Sequence, residues 1–232
     1  DPVAPLFLFK RGALVHFAVG SDEAQMTTHL ERDKTFFLPF NRGHNNGKGN
    51  PPVSEKHRTH YIWEEVLQRD SLIDLVHRFL HLEVKENEGG KIKTPERMIF
   101  PRYHQLTVVR KLIHGAKAQG AGHHYLVQHS AGSGKSNSIA WLAHRLSTLC
   151  DEQGAKAYDS VVVISDRRIL NKQLQDIIYQ FEHKTGVVHR IDKGSTQLAK
   201  ALEDCSPIII TTIHKFSYIA DKIKELPDRK YA

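Results

Sequence analysis

The sequence predicts an α/β chain in three stretches: an antiparallel β segment over 11–40, a loop and helical connection reaching to about 100, and a parallel sheet with helices on its faces over 101–232. Three observations carry this. The first stretch is a series of short apolar, partly β-branched runs separated by charged turns. The second is rich in Gly, Asn and Pro and then takes on helical spacing of its apolar residues. In the third, helix-period and buried-strand patterns alternate, as a parallel sheet with crossover helices requires.

The β segment reads as "ALVHFAV", "AQMTTHL" and "TFFLPF", with "SDE" and "ERDK" as the turns between them. "NRGHNNGKGNPP" at 41–52 is a solvated connecting loop. Over 59–82, Ile62, Val66 and Leu67, and then Leu72, Leu75, Val76, Phe79 and Leu80, recur at helical spacing. Ser71 is the expected cap of the second helix, with Asp74 at the capping-box distance. "KENEGGKIKTPERMIFP", with its charges, paired glycines and two prolines, reads as a linker or exposed loop.

Beyond 101 a helix over 103–117 is followed by Gly120 and Gly122, and "HYLVQ" at 124–128 is expected as a short strand entering a loop at 129–136. The helix after that loop is expected to bury Ile139, Leu142, Ala143 and Leu146. "VVVIS" at 161–165 is the continuous apolar run of a strand covered on both faces. A helix through Leu170, Leu174, Ile177, Ile178 and Phe181, a strand "GVVHRI", a helix "STQLAKALED" and a buried strand "PIIITTI" at 207–213 complete the alternation.

The 232 residues suffice for one or two domains with a buried core, and the net charge of +7 leans toward an acidic partner such as nucleic acid. Cys150 and Cys205 lie far apart in no metal-type spacing, which reads as reduced thiols in a cytoplasm. No apolar run approaches the ~20 residues of a membrane helix, and the start, interrupted by Lys10 and Arg11, does not read as a secretory signal. That abrupt start reads as the beginning of a fragment. The sixteen histidines include "HRTH" and "GHH" clusters, but neither has acidic or cysteine partners at ligand spacing, so they read as surface histidines.

The chemistry-bearing stretch is "QHSAGSGKS" at 128–136, between an expected strand and an expected helix. Gly132 and Gly134 let backbone amides turn toward phosphate oxygens, and the helix N-terminus adds its dipole and unpaired N–H groups. Lys135 is placed for the β- and γ-phosphates and the Ser136 hydroxyl for Mg²⁺, with Gly132, Ser133 and Gly134 forming the cradle of an ATP site. His129 stands where the usual pattern has its first glycine, at the loop's mouth, where close approach to phosphate is not required.

"HSAGSGKS" resembles the phosphate loop of superfamily 2 helicases and translocases, which commonly relax that first glycine. The resemblance extends further. "PRYHQLTVV" places Gln105 thirty residues before Lys135, like the family's adenine-recognising glutamine. "VVVISDRRILNKQLQ" resembles a motif that contacts the nucleic-acid backbone, with Arg167 as the phosphate-contact candidate beside Asp166 and Arg168. "IIITTIHKF" resembles another, with Thr211 and Thr212 as the residues facing DNA phosphates.

Taken in order, "RGALVHFAVGSDEAQMTTHL", "TFFLPFNRG", "YIWEEVLQRDSL", "PRYHQ", "SAGSGKS", "SDRRILNKQLQ" and "TTIHKF" are similar to the restriction (motor) subunit of type I restriction enzymes over about 11–232. That resemblance implies an ATP-dependent translocase of double-stranded DNA with endonuclease activity, using ATP and Mg²⁺ and bound to methyltransferase and specificity subunits. It implies that 1–45 is the antiparallel β end of a PD-(D/E)XK-type nuclease domain, 46–100 a loop and helical connection, and 101–232 a RecA-like first motor domain. Two parts of the pattern are missing. Asp22 and Glu23 lie in a turn with no following x-Lys, and the tail "ELPDRKYA" contains no DEAH-like run. The expectation is therefore a fragment truncated before the Walker B carboxylates and inactive by itself. Two alternatives stay open: another superfamily 2 helicase, against which "FLPFN" and the β segment argue, and a nucleotide-binding module with no nucleic-acid role. Among such modules, a kinase needs a lid and an acceptor site, and neither is found.

Overall fold

The computed structural model describes residues 4–84, 96–166, 168–181, 186–191, 194–217, 219 and 229–232. The chain forms two compact units, Asp1–Thr107 and Val108–Ala232.

In the first unit the strands β1 (His16–Val19), β2 (Ala24–Thr27) and β3 (Leu38–Pro39) form an antiparallel sheet in the order β1-β2-β3. The three apolar runs of the sequence thus become the three strands, shortened to the residues whose partners are in register: Phe17 opposite Met26, and Met26 opposite Leu38. The core is aromatic. Phe17 meets Phe40 and Phe100 edge-on, and Tyr103 meets both Phe40 and Tyr61. The loop at 41–50 is rooted by amide side chains. Buried Asn50 donates to the Asp22 carbonyl and to Asn41 Oδ1 and accepts from the Arg42 amide.

The helical stretch is a π-type turn, Ile62–Val66, followed by α1 (Arg69–Arg78). Ser71 does not cap α1. It lies within the helix and donates to the Val66 carbonyl at 2.8 Å, while Gln68 occupies the cap position. Among the described residues one face of α1 is covered: Leu75 is fully buried, and Leu72, Ile73 and Val76 are exposed. The stretch expected as a linker ends in structure: its residues Arg97–Ile99 form β5, which pairs antiparallel with β4 (His81–Glu83) of the segment before it; its residues 85–95 lie outside the described ones. Helix α2 (Tyr103–Gln119) then runs through the division between the units at Thr107 and Val108.

The second unit contains α3 (Lys135–Ser147), β6 (Val161–Ser165), α4 (Arg168–Gln180), β7 (Val188–Arg190), α5 (Ser195–Glu203), β8 (Ile208–Thr212) and α6 (Ile213–Ser217). The strands form a parallel sheet in the order β6-β8-β7, as in RecA-like folds. All five residues of the central strand β8 are buried, which explains why its sequence shows no polar alternation. The outer edge of β6 is also occupied: Tyr231 bridges Ser160 in parallel, and the Val162 amide donates to the Ala232 carbonyl.

Two expectations change here. Residues 124–128 are not a paired strand. β6 has β8 on one side and the Tyr231–Ala232 segment on the other, and 124–128 joins no ladder, so Leu126 is 95% exposed. The buried face of α3 is also rotated from the expected one. Ala143 is buried as expected, but Ile139 is exposed, Leu142 and Leu146 are only half-buried, and Ser138, Ala140, Trp141 and Ser147 complete the buried face. Trp141 sets this face by meeting Phe181 edge-on, beside the 2.8 Å contact between His144 Nε2 and the Ile178 carbonyl of α4.

Candidate nucleotide-binding site

The loop at 129–136 takes its shape from two glycines. Gly132 has φ +73° and Gly134 has φ +81°, both in the left-handed region that a side chain disfavours. At Gly132 an added Cβ would meet nothing within 4 Å, so backbone conformation, not crowding, requires glycine there. Gly134 is the N-cap of α3 and brings no capping side chain. The Asn137 amide already donates to the Gly134 carbonyl at 3.1 Å, and the Lys135 and Ser136 amides before it meet no competing side-chain oxygen from the cap. Ser133, between the glycines, is buried; Ser136, in the first turn, is half-buried.

Lys135 is the first residue of α3 and is exposed. Its ammonium folds back over the loop and donates to the carbonyls of Ser130 at 2.8 Å and His129 at 3.1 Å. A strongly hydrated cation held by two neutral carbonyls on an exposed loop is easily drawn to a more negative acceptor. His129 thus contributes through its backbone oxygen, a role no side-chain pattern announces.

Mg²⁺ fits this loop in a limited way. Among the described residues no group of three or more His, Cys, Asp or Glu is placed to hold a metal. Mg²⁺ commonly binds through one or two protein groups, substrate phosphates and retained waters. The loop offers hydroxyls at Ser130, Ser133 and Ser136, of which Ser136 is the one expected from the sequence to reach the metal.

The remaining predicted site residues are dispersed. Gln105 is buried, in the first unit, and its Oε1 accepts from the Arg102 amide at 2.9 Å. Arg102 precedes α2 and Gln105 is the third helical residue, so this is the reciprocal arm of a capping box. Arg167 lies outside the described residues, next to exposed Asp166 at the end of β6. Thr211 and Thr212 close β8 and are 0% and 6% exposed, with Thr212 opposite Ser165 at the carboxyl ends of neighbouring strands. The Thr211 hydroxyl has no hydrogen-bond partner among the described residues.

Sequence reasoning missed the support of the loop's entry. Tyr125 packs over Gly115 of α2, and its hydroxyl donates to Gln119 Oε1 at 2.5 Å. A mid-helix glycine with a tyrosine ten residues later forms no recognised motif. The signal was the glycine itself, which lies inside a helical pattern without ending it.

Among the described residues no helix is long and apolar enough to cross a membrane. A family model, SWI2/SNF2 ATPase, matches residues 104–231, a span that holds Gln105, the whole glycine-rich loop, Arg167, Thr211 and Thr212. No curated protein and no solved structure matches the chain.

Proposed function

The chain belongs to the SWI2/SNF2 ATPase family, and on that premise we propose that it is part of the motor subunit of a type I restriction enzyme. Membership gives a superfamily 2 helicase-like ATPase domain that uses ATP. The finer reading is that this ATPase drives translocation of double-stranded DNA in a complex with methyltransferase and specificity subunits, and that DNA cleavage depends on that movement. What supports it is the order of "LVHFAV", "FLPFN", "PRYHQ", "SAGSGKS" and "TTIHKF" along one chain. In this reading the antiparallel sheet β1-β2-β3 is the edge of a nuclease domain.

The observation that carries the nucleotide assignment is the loop: two left-handed glycines around Ser133, with Lys135 as the first residue of α3. In the proposed roles, Gly132, Ser133 and Gly134 cradle phosphates, Lys135 leaves its carbonyls for the β- and γ-phosphates, and Ser136 holds Mg²⁺. Gln105 would read adenine through its amide, and Arg167 and the end of β8 at Thr211 and Thr212 would meet the DNA backbone. Because both threonines are buried, contact there requires the backbone or a local opening.

The test is reconstitution of the whole motor subunit with its methyltransferase–specificity core. ATP turnover should rise when DNA is added. Lys135→Ala should lower turnover about a hundredfold to a thousandfold and abolish cleavage while leaving assembly intact. Turnover indifferent to DNA would refute the translocase role, and cleavage persisting without hydrolysis would refute its coupling to movement.

A further inference from the structure

We propose that Tyr125 is a positioning residue for the phosphate loop, anchored in a seat made by Gly115 and Gln119 of α2. The inference rests on the nucleotide reading of that loop and adds to it the element that holds the loop's entry in place.

The entry is otherwise unsupported by a ladder. Residues 123–128 pair with no strand, and Leu126 is almost wholly exposed. Against that background Tyr125, itself 46% exposed, is held on its inner side. A Cβ built on Gly115 would lie 2.9 Å from the Tyr125 hydroxyl oxygen and 3.1 Å from its ring edge. The hydroxyl donates to Gln119 Oε1, one helical turn further on. Tyr125 is four residues before His129, whose carbonyl receives Lys135.

The seat belongs to the same body as the far end of the loop. Ala116, next to Gly115, packs with Ala157 and Tyr158 in a cluster that takes in Leu146 of α3 and Leu149 just beyond it. The Tyr158 hydroxyl donates to the Gly120 carbonyl at 3.2 Å and fixes the end of α2. The loop is thus tied at both ends to α2: before it through Tyr125 on Gly115 and Gln119, and after it through α3, whose Leu146 packs against the cluster holding Ala116.

Gly115 itself needs an explanation. It sits inside a 17-residue helix without a positive φ, where alanine is the more favourable residue. What glycine provides there is room for the tyrosine ring. Filling that room should tilt Tyr125 away and loosen the loop, so that nucleotide has to order it on binding.

The experiment measures Mg-ATP affinity of the 232-residue chain by calorimetry, its thermal midpoint, and amide exchange of 123–134 for four variants. These are Gly115→Ala, Tyr125→Ala, the double variant and Lys135→Ala. Gly115→Ala should raise Kd about two- to tenfold and speed exchange of 123–134 without lowering the thermal midpoint. In the Tyr125→Ala background the same glycine substitution should have no further effect on either quantity. Unchanged affinity and exchange in Gly115→Ala, or equal effects in both backgrounds, would overturn the proposal. If the wild-type chain binds no Mg-ATP, or binds as well with Lys135→Ala, the nucleotide reading fails. The exchange data then still decide the anchor: unaltered exchange in Gly115→Ala rejects it.

Discussion

The Lys135 ammonium donates to the Ser130 carbonyl at 2.8 Å, closing the glycine-rich loop upon itself. On the proposed reading, a nucleotide draws this cation from carbonyl oxygens to phosphate oxygens, exchanging neutral acceptors for charged ones.

Removing the cation should therefore affect binding more than folding. Lys135→Ala should weaken Mg-ATP binding by about tenfold to a hundredfold, the value of a hydrogen bond to a charged group. The thermal midpoint should stay within about a degree, since Lys135 is exposed and contributes no packing. Calorimetry on the two chains checks both statements, and undiminished affinity would rule out the phosphate role.

Gln105 carries a structural duty whatever else it does. Its oxygen accepts from the Arg102 amide at the start of α2. Gln105→Ala should cost about 0.5–2 kcal/mol of stability in urea titration, with or without nucleotide. If Gln105 also reads adenine, the same variant should lose preference for ATP over GTP. Retained preference would leave the capping role as its whole function.

Trp141 joins α3 to α4. It is 1% exposed and meets Phe181 edge-on with ring centroids 5.9 Å apart. Trp141→Ala should destabilise the second unit by about 3–5 kcal/mol, the cost of emptying a large aromatic site. A loss below about 1 kcal/mol in denaturant titration would show that the α3–α4 contact does not bear on stability.

Tyr61 should make the first unit sensitive to alkali. Burial pushes its phenol up to about 12 from 10, and its hydroxyl donates to the Phe40 carbonyl at 2.5 Å. The raised value means the folded state holds a proton that the unfolded state releases. Stability from this group is complete below about pH 10 and is lost as pH rises from 10 toward 12. Burial also raises Tyr158 and Tyr231, so ultraviolet titration should show a late-ionising component that shrinks in Tyr61→Phe, and the same substitution should flatten the decline. An unchanged profile would mean Tyr61 is not responsible.

The sequence by itself determined the elements whose signal is local. The runs at 161–165 and 207–213 became β6 and β8, and the apolar spacing at 195–204 became α5, because burial on both faces or on one leaves a periodic trace. The loop was legible for the same reason: left-handed backbone at 132 and 134 is written as glycine, and a helix begins at Lys135. Tertiary structure decided what depends on distant partners. "HYLVQ" has a strand's composition, but a strand is defined by its hydrogen-bond neighbour. Among the described residues 124–128 has no such ladder partner, while the outer edge of β6 pairs with Tyr231 and Ala232. Which face of α3 is buried was decided by Phe181 just beyond α4, and Ser71 was drawn from capping by the Val66 carbonyl. The seat of Tyr125 likewise arises only when folding brings residue 115 under residue 125. Backbone conformation is encoded one residue at a time, whereas pairing and packing are encoded jointly by segments that the chain must first bring together.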